Sequence, residues 1–125
     1  PQAIIVIDLN NVKYLNDTFG HEEGDKQIMA AANVLHQNQL DNTEIMRTDG
    51  NEFMIYLVGY NEKQVVNYIK KLVKEFGNLP YDYGVAIGFS MIVDDLKLID
   101  DAINEASLLM RENKETEYNE NEKQD

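Results

Sequence analysis

The chain contains no cysteine, which rules out disulfide bonds and thiolate metal sites and is compatible with a reducing compartment. It has no apolar run long enough to cross a bilayer, and its first residues do not form a signal peptide. Positive charge is scarce, because 11 lysine and arginine residues stand against 23 acidic ones, for a formal net charge of −12. Since neutralising nucleic-acid phosphates needs clustered cations, we expect no binding of DNA or RNA. A small nucleotide held by a few local cations and a metal ion remains compatible with this charge.

The 125 residues, 43% of them hydrophobic, are enough for one domain with a single core. The sequence opens almost directly on an apolar run, so we expect it to be a piece of a longer protein that carries other domains. Apolar periodicity ends near Lys114. We therefore assign residues 1–114 to the domain and residues 115–125 to an acidic, flexible tail.

Apolar spacing along the chain alternates between strand-like runs and helical stripes. The predicted elements are a strand over 3–7, a helix that stops at Gly20, a helix over 23–37, two strands around the turn Asp49-Gly50-Asn51, a helix through "NEKQVVNYIKKLVKEFG", a strand over 85–92 and a helix from Ile99 to about Lys114. This order predicts an α+β fold. We expect a palm-like or ferredoxin-like sandwich, with a mixed central sheet, a β-hairpin and flanking helices.

In such a topology, Asp8 at the end of the first strand can lie beside the hairpin turn at 49–52. That is the geometry for a shared divalent cation. The turn, however, carries the amide of Asn51 where a carboxylate would suit a hard cation better.

Two stretches around these residues resemble the GGDEF family of diguanylate cyclases. "DLNNVKYLNDTFGHEEGD" is similar to the family pattern D-x-D-x-F-K-x-I-N-D-x-x-G-H-x-x-G-D, and "RTDGNEF" is similar to R-x-G-G-D/E-E-F. The final helix also fits, through "NEASLLMREN". The first motif is long and free of gaps, and the matched elements extend over nearly the whole chain.

The resemblance implies a palm-like domain that binds one GTP and pairs face to face with a second copy in a homodimer. Divalent cations, Mg²⁺ above all, then help each ribose 3′-oxygen attack the partner's α-phosphate, giving cyclic di-GMP and pyrophosphate. Sensor or membrane domains of the same full-length chain are the implied partners. The implied location is the cytoplasm, including the cytoplasmic portion of a membrane protein.

Matched residue by residue, the resemblance assigns metal binding to Asp8, to the backbone carbonyl of Leu9 and to position 51. It assigns catalytic positions to Asp8 and Glu52. Nucleotide contacts fall on five residues, with the first two matching the pair that recognises guanine: Asn16, Asp25, Lys13, Gly50 and Arg111. An amide and a carboxylate suit guanine, which presents an acceptor at O6 and donors at N1 and N2.

Two departures from the pattern fall on the chemistry. Asp49 replaces a glycine whose role is to let the backbone approach phosphates, and it adds a negative charge there. Asn51 replaces the carboxylate that completes the metal site. The resemblance therefore implies a weakened Mg²⁺ site and cyclase activity that is lost or low.

Simpler interpretations of the same residues stay open. Asn16 and Asp25 could cap helices, and Asp49-Gly50-Asn51 is a good turn sequence in its own right. Lys13 and Arg111 could be ordinary surface cations.

Three functions follow from these alternatives. The first is a degenerate domain that binds a guanine nucleotide and acts as a regulatory module. The second is an active or weakly active diguanylate cyclase, and the third is a ligand-free interaction or dimerisation module.

Overall fold

The computed structural model describes the backbone of residues 1–124 and the side chains of residues 1–114. Eight elements follow the predicted order: β1 Gln2–Leu9, α1 Val12–Phe19, α2 His21–Gln37, β2 Thr43–Asp49, β3 Glu52–Val58, α3 Glu62–Phe76, β4 Val85–Ile92 and α4 Ile99–Gln124. The predicted α+β class, a hairpin-bearing sheet flanked by helices, is confirmed.

The four strands form one sheet in the order β2-β3-β1-β4, and its three strand pairs are all antiparallel. The expected mixture of parallel and antiparallel pairs is therefore wrong. Strands β1 and β2 are joined through helices and run in the same direction, but β3 lies between them. Strands β3 and β4 are separated by β1 in the same way. Each parallel connection thus encloses an antiparallel strand, which is the ferredoxin-like arrangement.

Strand β1 is central, and helices cover both of its faces. Its odd-numbered apolar residues pack in one core cluster with α2, α3 and β3, while Ile4 and Val6 pack in a second cluster with α4. A strand that is buried on both sides reads as a continuous apolar run rather than as an alternation. This explains why the segment 3–7 has no polar residue. It also places Asp8, an even-numbered position, on the face that α4 covers.

Helix α4 lies unusually close to the sheet at Gly88 of β4. A Cβ atom at this glycine would lie 2.1 Å from the carbonyl oxygen of Ala106 and 2.4 Å from the amide nitrogen of Met110. Because these are backbone atoms of α4, they cannot move aside without moving the helix. The absence of a side chain at position 88 therefore sets the distance between α4 and the sheet.

Two helix boundaries differ from those predicted. Helix α2 begins at His21, two positions before the predicted Glu23, because Gly20 alone separates it from α1. The backbone of α4 continues to Gln124, beyond the predicted end near Lys114. The predicted tail begins at residue 115, so its side chains lie outside the described residues. No helix within the described part of the chain combines the length and hydropathy needed to span a bilayer.

The irregular segment between α3 and β4 is held by two buried polar side chains. Gln27 donates to the carbonyl oxygen of Tyr81 at 2.7 Å and accepts from the Tyr81 amide at 3.0 Å. Asn10 donates to the carbonyl oxygen of Tyr83 at 3.2 Å. The rings of Tyr81 and Tyr83 stack at 5.9 Å, and Phe19 stacks on Tyr81. Tyr81 and Tyr83 are half-buried and stack beside α1.

We predict that Gly88→Ala lowers the free energy of unfolding by about 3 kcal/mol, because the added methyl overlaps the backbone of α4. Chemical denaturation followed by circular dichroism measures the change. Gly50→Ala is the matched control, since a Cβ there meets no atom within 4 Å. Equal stability of the two variants would contradict the close approach of α4.

Candidate functional site

The register of the sheet brings the end of β1 against the hairpin. Asp8 is paired with Glu52 across the antiparallel β1 and β3 strands, so the two side chains leave the same face of the sheet. One position further along, the amide of Leu9 donates to the carbonyl oxygen of Asn51 at 3.0 Å. The expectation that Asp8 and the turn lie side by side is met by this geometry.

The side chain of Asn51 joins the two groups predicted to bind metal. Its Nδ2 atom donates to Asp8 Oδ1 at 2.7 Å and to the carbonyl oxygen of Leu9 at 3.0 Å. An amide nitrogen has two hydrogens, and each of them is directed at one acceptor. Asn51 thus acts as a hydrogen-bond donor toward the very oxygens that a cation would need.

Lys114 supplies a positive charge that the sequence analysis did not anticipate. Its Nζ atom lies 3.0 Å from Asp8 Oδ1, and the Asp8 side chain is only 18% exposed. The signal was present in the sequence, because Lys114 continues the buried row of α4 one turn after Met110. The apolar periodicity of α4 ends near this position, so hydrophobic spacing alone does not mark Lys114 as part of the site.

Hydrogen bonds among residues 47–52 hold the tip of the hairpin. The Asp49 carboxylate accepts from the amide of Gly50 at 2.7 Å, and the Arg47 guanidinium donates to the Gly50 carbonyl oxygen through Nη2 at 2.7 Å. Glu52 accepts from the Thr48 hydroxyl at 2.9 Å. The register shifts between Arg47 and Asp49, which gives the turn its bulged form. The Gly50 amide, which the resemblance assigns to phosphate, is directed at a carboxylate of the same turn.

The predicted guanine pair lies where α1 and α2 meet. Asn16, in the second half of α1, packs against Gly24 so closely that a Cβ there would fall 1.8 Å from Asn16 Oδ1. This oxygen is buried and accepts no hydrogen bond from the described residues. Asp25 follows Gly24 directly and is exposed. Neither residue caps a helix, because the residues that precede the two helices are Asn11 and Gly20.

The first turn of α2 is anchored next to this pair. The pKa of the Glu23 carboxyl is lowered by its hydrogen bond to Lys26 first and to the Tyr81 hydroxyl second. The same contact with Glu23 raises the pKa of Tyr81. Glu23 therefore joins the first turn of α2 to the Tyr81 hydroxyl.

The two side chains predicted to bind phosphate, Lys13 and Arg111, make no polar contact with the end of β1 among the described residues. Lys13 is exposed on α1 and Arg111 is exposed on α4. No hydrogen bond or ion pair joins either of them to Asp8 or Asn51 in the described part of the chain. Their assignment to phosphate therefore remains a prediction from the resemblance.

The donor set does not fit a divalent cation in this arrangement. Mg²⁺ requires oxygen ligands at about 2.0–2.1 Å in octahedral geometry, and here an amide N–H and an ammonium group face the two oxygens. Residues 1–114 also contain no group of three or more histidine or acidic side chains placed to hold a metal ion. A cation could bind only by displacing Lys114 and turning the Asn51 amide.

A four-stranded antiparallel sheet flanked by helices, with a hairpin beside the acidic end of its central strand, defines a palm-like α+β domain. The family described as "Diguanylate cyclase, GGDEF domain" matches residues 1–120. The chain belongs to the GGDEF family, the family of domains found in cyclic di-GMP signalling proteins.

Individual relatives share the fold at low sequence identity. The chain is 28% identical over 100 residues to diguanylate cyclase DgcN of Escherichia coli, a match that covers 74% of this chain and 24% of DgcN. The active GGEEF domain of a diguanylate cyclase from Vibrio cholerae superimposes with a TM-score of 0.83 at 22% identity, covering 92% of this chain and 77% of that one. The GGDEF domain of DgcB from Caulobacter crescentus, solved with c-di-GMP, gives 0.83 at 19% identity, with coverages of 92% and 72%. At these identities the structural likeness shows the fold alone, and the chain spans about a quarter of the length of DgcN.

We predict that Asn51→Ala lowers the free energy of unfolding by about 1–3 kcal/mol, because it removes both donors from Asp8 and the Leu9 carbonyl. Denaturant titration measures the change. The matched control is Asn78→Ala, an exposed loop position at which we expect a change within about 0.5 kcal/mol. If both variants unfold alike, the bridge contributes nothing to stability.

Proposed function

We propose that this chain is a degenerate GGDEF domain that binds a guanine nucleotide, GTP among them, through Asn16 and Asp25. In this proposal its cyclase chemistry is impaired, and ligand binding regulates the sensor or membrane domains to which it is joined. Domains of this family belong to cyclic di-GMP signalling, so that pathway is the proposed setting.

The observation that carries the ligand part is the buried oxygen of Asn16. A buried acceptor that lacks a partner costs about 1–3 kcal/mol, so such groups call for an explanation. The N1–H and N2–H groups of guanine would supply donors to Asn16 once its amide turned outward, and to the exposed carboxylate of Asp25, which follows Gly24 in the chain. Gly24 leaves the room that Asn16 needs for this position.

The same geometry argues against efficient cyclisation. Phosphoryl transfer depends on cations that neutralise the developing charge and on donors that position the phosphates. Here Asp8 faces Asn51 and Lys114, and the Gly50 amide faces Asp49. The exposed Asp49 carboxylate would also repel a triphosphate.

A weakly active cyclase is the second candidate, and one observation favours it. Asp8 and Glu52 remain paired across β1 and β3, and the Leu9 carbonyl points at position 51. These are the backbone and carboxylate positions that the family uses, so restoring the two altered side chains could restore the chemistry.

We predict that the wild-type chain binds GTP in titration calorimetry and does not bind ATP, because adenine lacks the N1–H and N2–H donors. Asn16→Leu should weaken GTP binding at least about tenfold, the equivalent of one good hydrogen bond. Asn78→Ala is again the matched control and should leave binding unchanged. Absence of heat with millimolar GTP would contradict the nucleotide-binding function and favour a ligand-free dimerisation module.

We predict that the wild-type chain forms little or no cyclic di-GMP when incubated with GTP and Mg²⁺, as measured by chromatography. Asp49→Gly combined with Asn51→Asp should raise Mg²⁺-dependent GTP binding, since it returns an open backbone and a carboxylate to the turn. Rapid accumulation of cyclic di-GMP by the wild type would contradict the proposed function and support an active diguanylate cyclase instead.

A further inference from the structure

We propose that Asn51 and Lys114 are a built-in substitute for the divalent cation, so that the end of β1 in this chain is closed to metal. The amide of Asn51 donates to the two oxygens that a cation would need, Asp8 Oδ1 and the Leu9 carbonyl oxygen. The ammonium group of Lys114 supplies the positive charge next to Asp8. The site is thereby complete in the absence of any metal, and this holds whether or not a nucleotide binds elsewhere on the domain.

The first support is the orientation of Asn51. Both acceptors, Asp8 Oδ1 and the Leu9 carbonyl oxygen, lie within 3.0 Å of the same nitrogen. With the amide turned round, an oxygen would face two other oxygens. The hydrogen bond between the Leu9 amide and the Asn51 carbonyl oxygen fixes the backbone of this position, so the side chain has little freedom to leave.

The second support is that Lys114 is placed by the fold. It continues the row of α4 that faces the sheet, formed by Ala102, Ala106 and Met110, all of which are buried. From Met110 to Lys114 the helix rises about 6 Å. From Val6 to Asp8 the strand rises by about 6.6 Å, so the lysine arrives level with the carboxylate. The close approach at Gly88 then sets the distance.

The third support is charge. Asp8 carries one negative charge, and Lys114 at 3.0 Å balances it, while Asn51 is neutral. Glu52, the nearest further carboxylate in the strand pairing, is bonded to Thr48. A hard divalent cation binds where several anionic oxygens converge, whereas here the charge of Asp8 is balanced by Lys114 and the Glu52 carboxylate is held by the Thr48 hydroxyl.

Binding of Mn²⁺ to the ligand-free protein tests the proposal, with loss of the free-ion electron paramagnetic resonance signal as the readout. The wild type should leave the signal unchanged at millimolar protein. Asn51→Asp combined with Lys114→Met should bind one Mn²⁺ at least about tenfold more tightly than the wild type. The melting temperature of this double variant should fall without metal and rise again when Mn²⁺ is added.

The matched control is Asn78→Asp combined with Lys71→Met, which makes the same change in net charge at two exposed positions. It separates a built site from the general attraction of cations to an acidic chain, and it should behave as the wild type. Asp8→Asn added to the test variant should abolish the gain. Far-ultraviolet circular dichroism verifies that each variant is folded.

Two results would overturn the proposal. One is stoichiometric Mn²⁺ binding by the wild type that disappears in Asp8→Asn. The other is a folded test variant that binds no more Mn²⁺ than the control. Failure of GTP to bind would bear on the proposed function alone, because no nucleotide is present in this experiment.

Discussion

The pairing of β1 with β3 is the constraint on which the site depends. Both faces of β1 are buried, so a shift of one residue would turn its apolar side chains to the wrong cluster. The register is therefore rigid, and it places Asp8 opposite Glu52 and Leu9 opposite Asn51. The position of the hairpin is fixed by this register. What the site can do is consequently decided by the side chains that the fixed backbone presents.

Those side chains form two separate groups, one where α1 and α2 meet and one at the hairpin. Between α1 and α2, Asn16 has a buried oxygen without a donor among the described residues. At the hairpin, Asp8, the Leu9 carbonyl and the Gly50 amide all have partners from the chain itself. A change at the hairpin can therefore leave the junction of α1 and α2 unaltered, because different elements build the two regions.

Much of the fold could be predicted from sequence because the apolar spacing is regular. Strand β4 has the predicted bounds, and Gly20 ends α1 where a residue with positive φ is needed.

Strand direction could not be predicted, since adjacency in the sheet depends on how α3 carries the chain across β1. Lys114 was missed for a related reason. Its partner Asp8 is 106 positions away, and only the placement of α4 brings the two together. Likewise, the sequence could show that position 51 had lost its charge, but only the structure shows which way its amide points.

The contact between Asn16 and Gly24 has an evolutionary consequence. Any larger residue at position 24 would overlap the Asn16 side chain, so Gly24 can be replaced freely only after Asn16 has changed. The hydrophobic core would change little, because Asn16 is polar and belongs to neither core cluster. Loss of Asn16 first and of Gly24 second therefore avoids the overlap, whereas the reverse order passes through it.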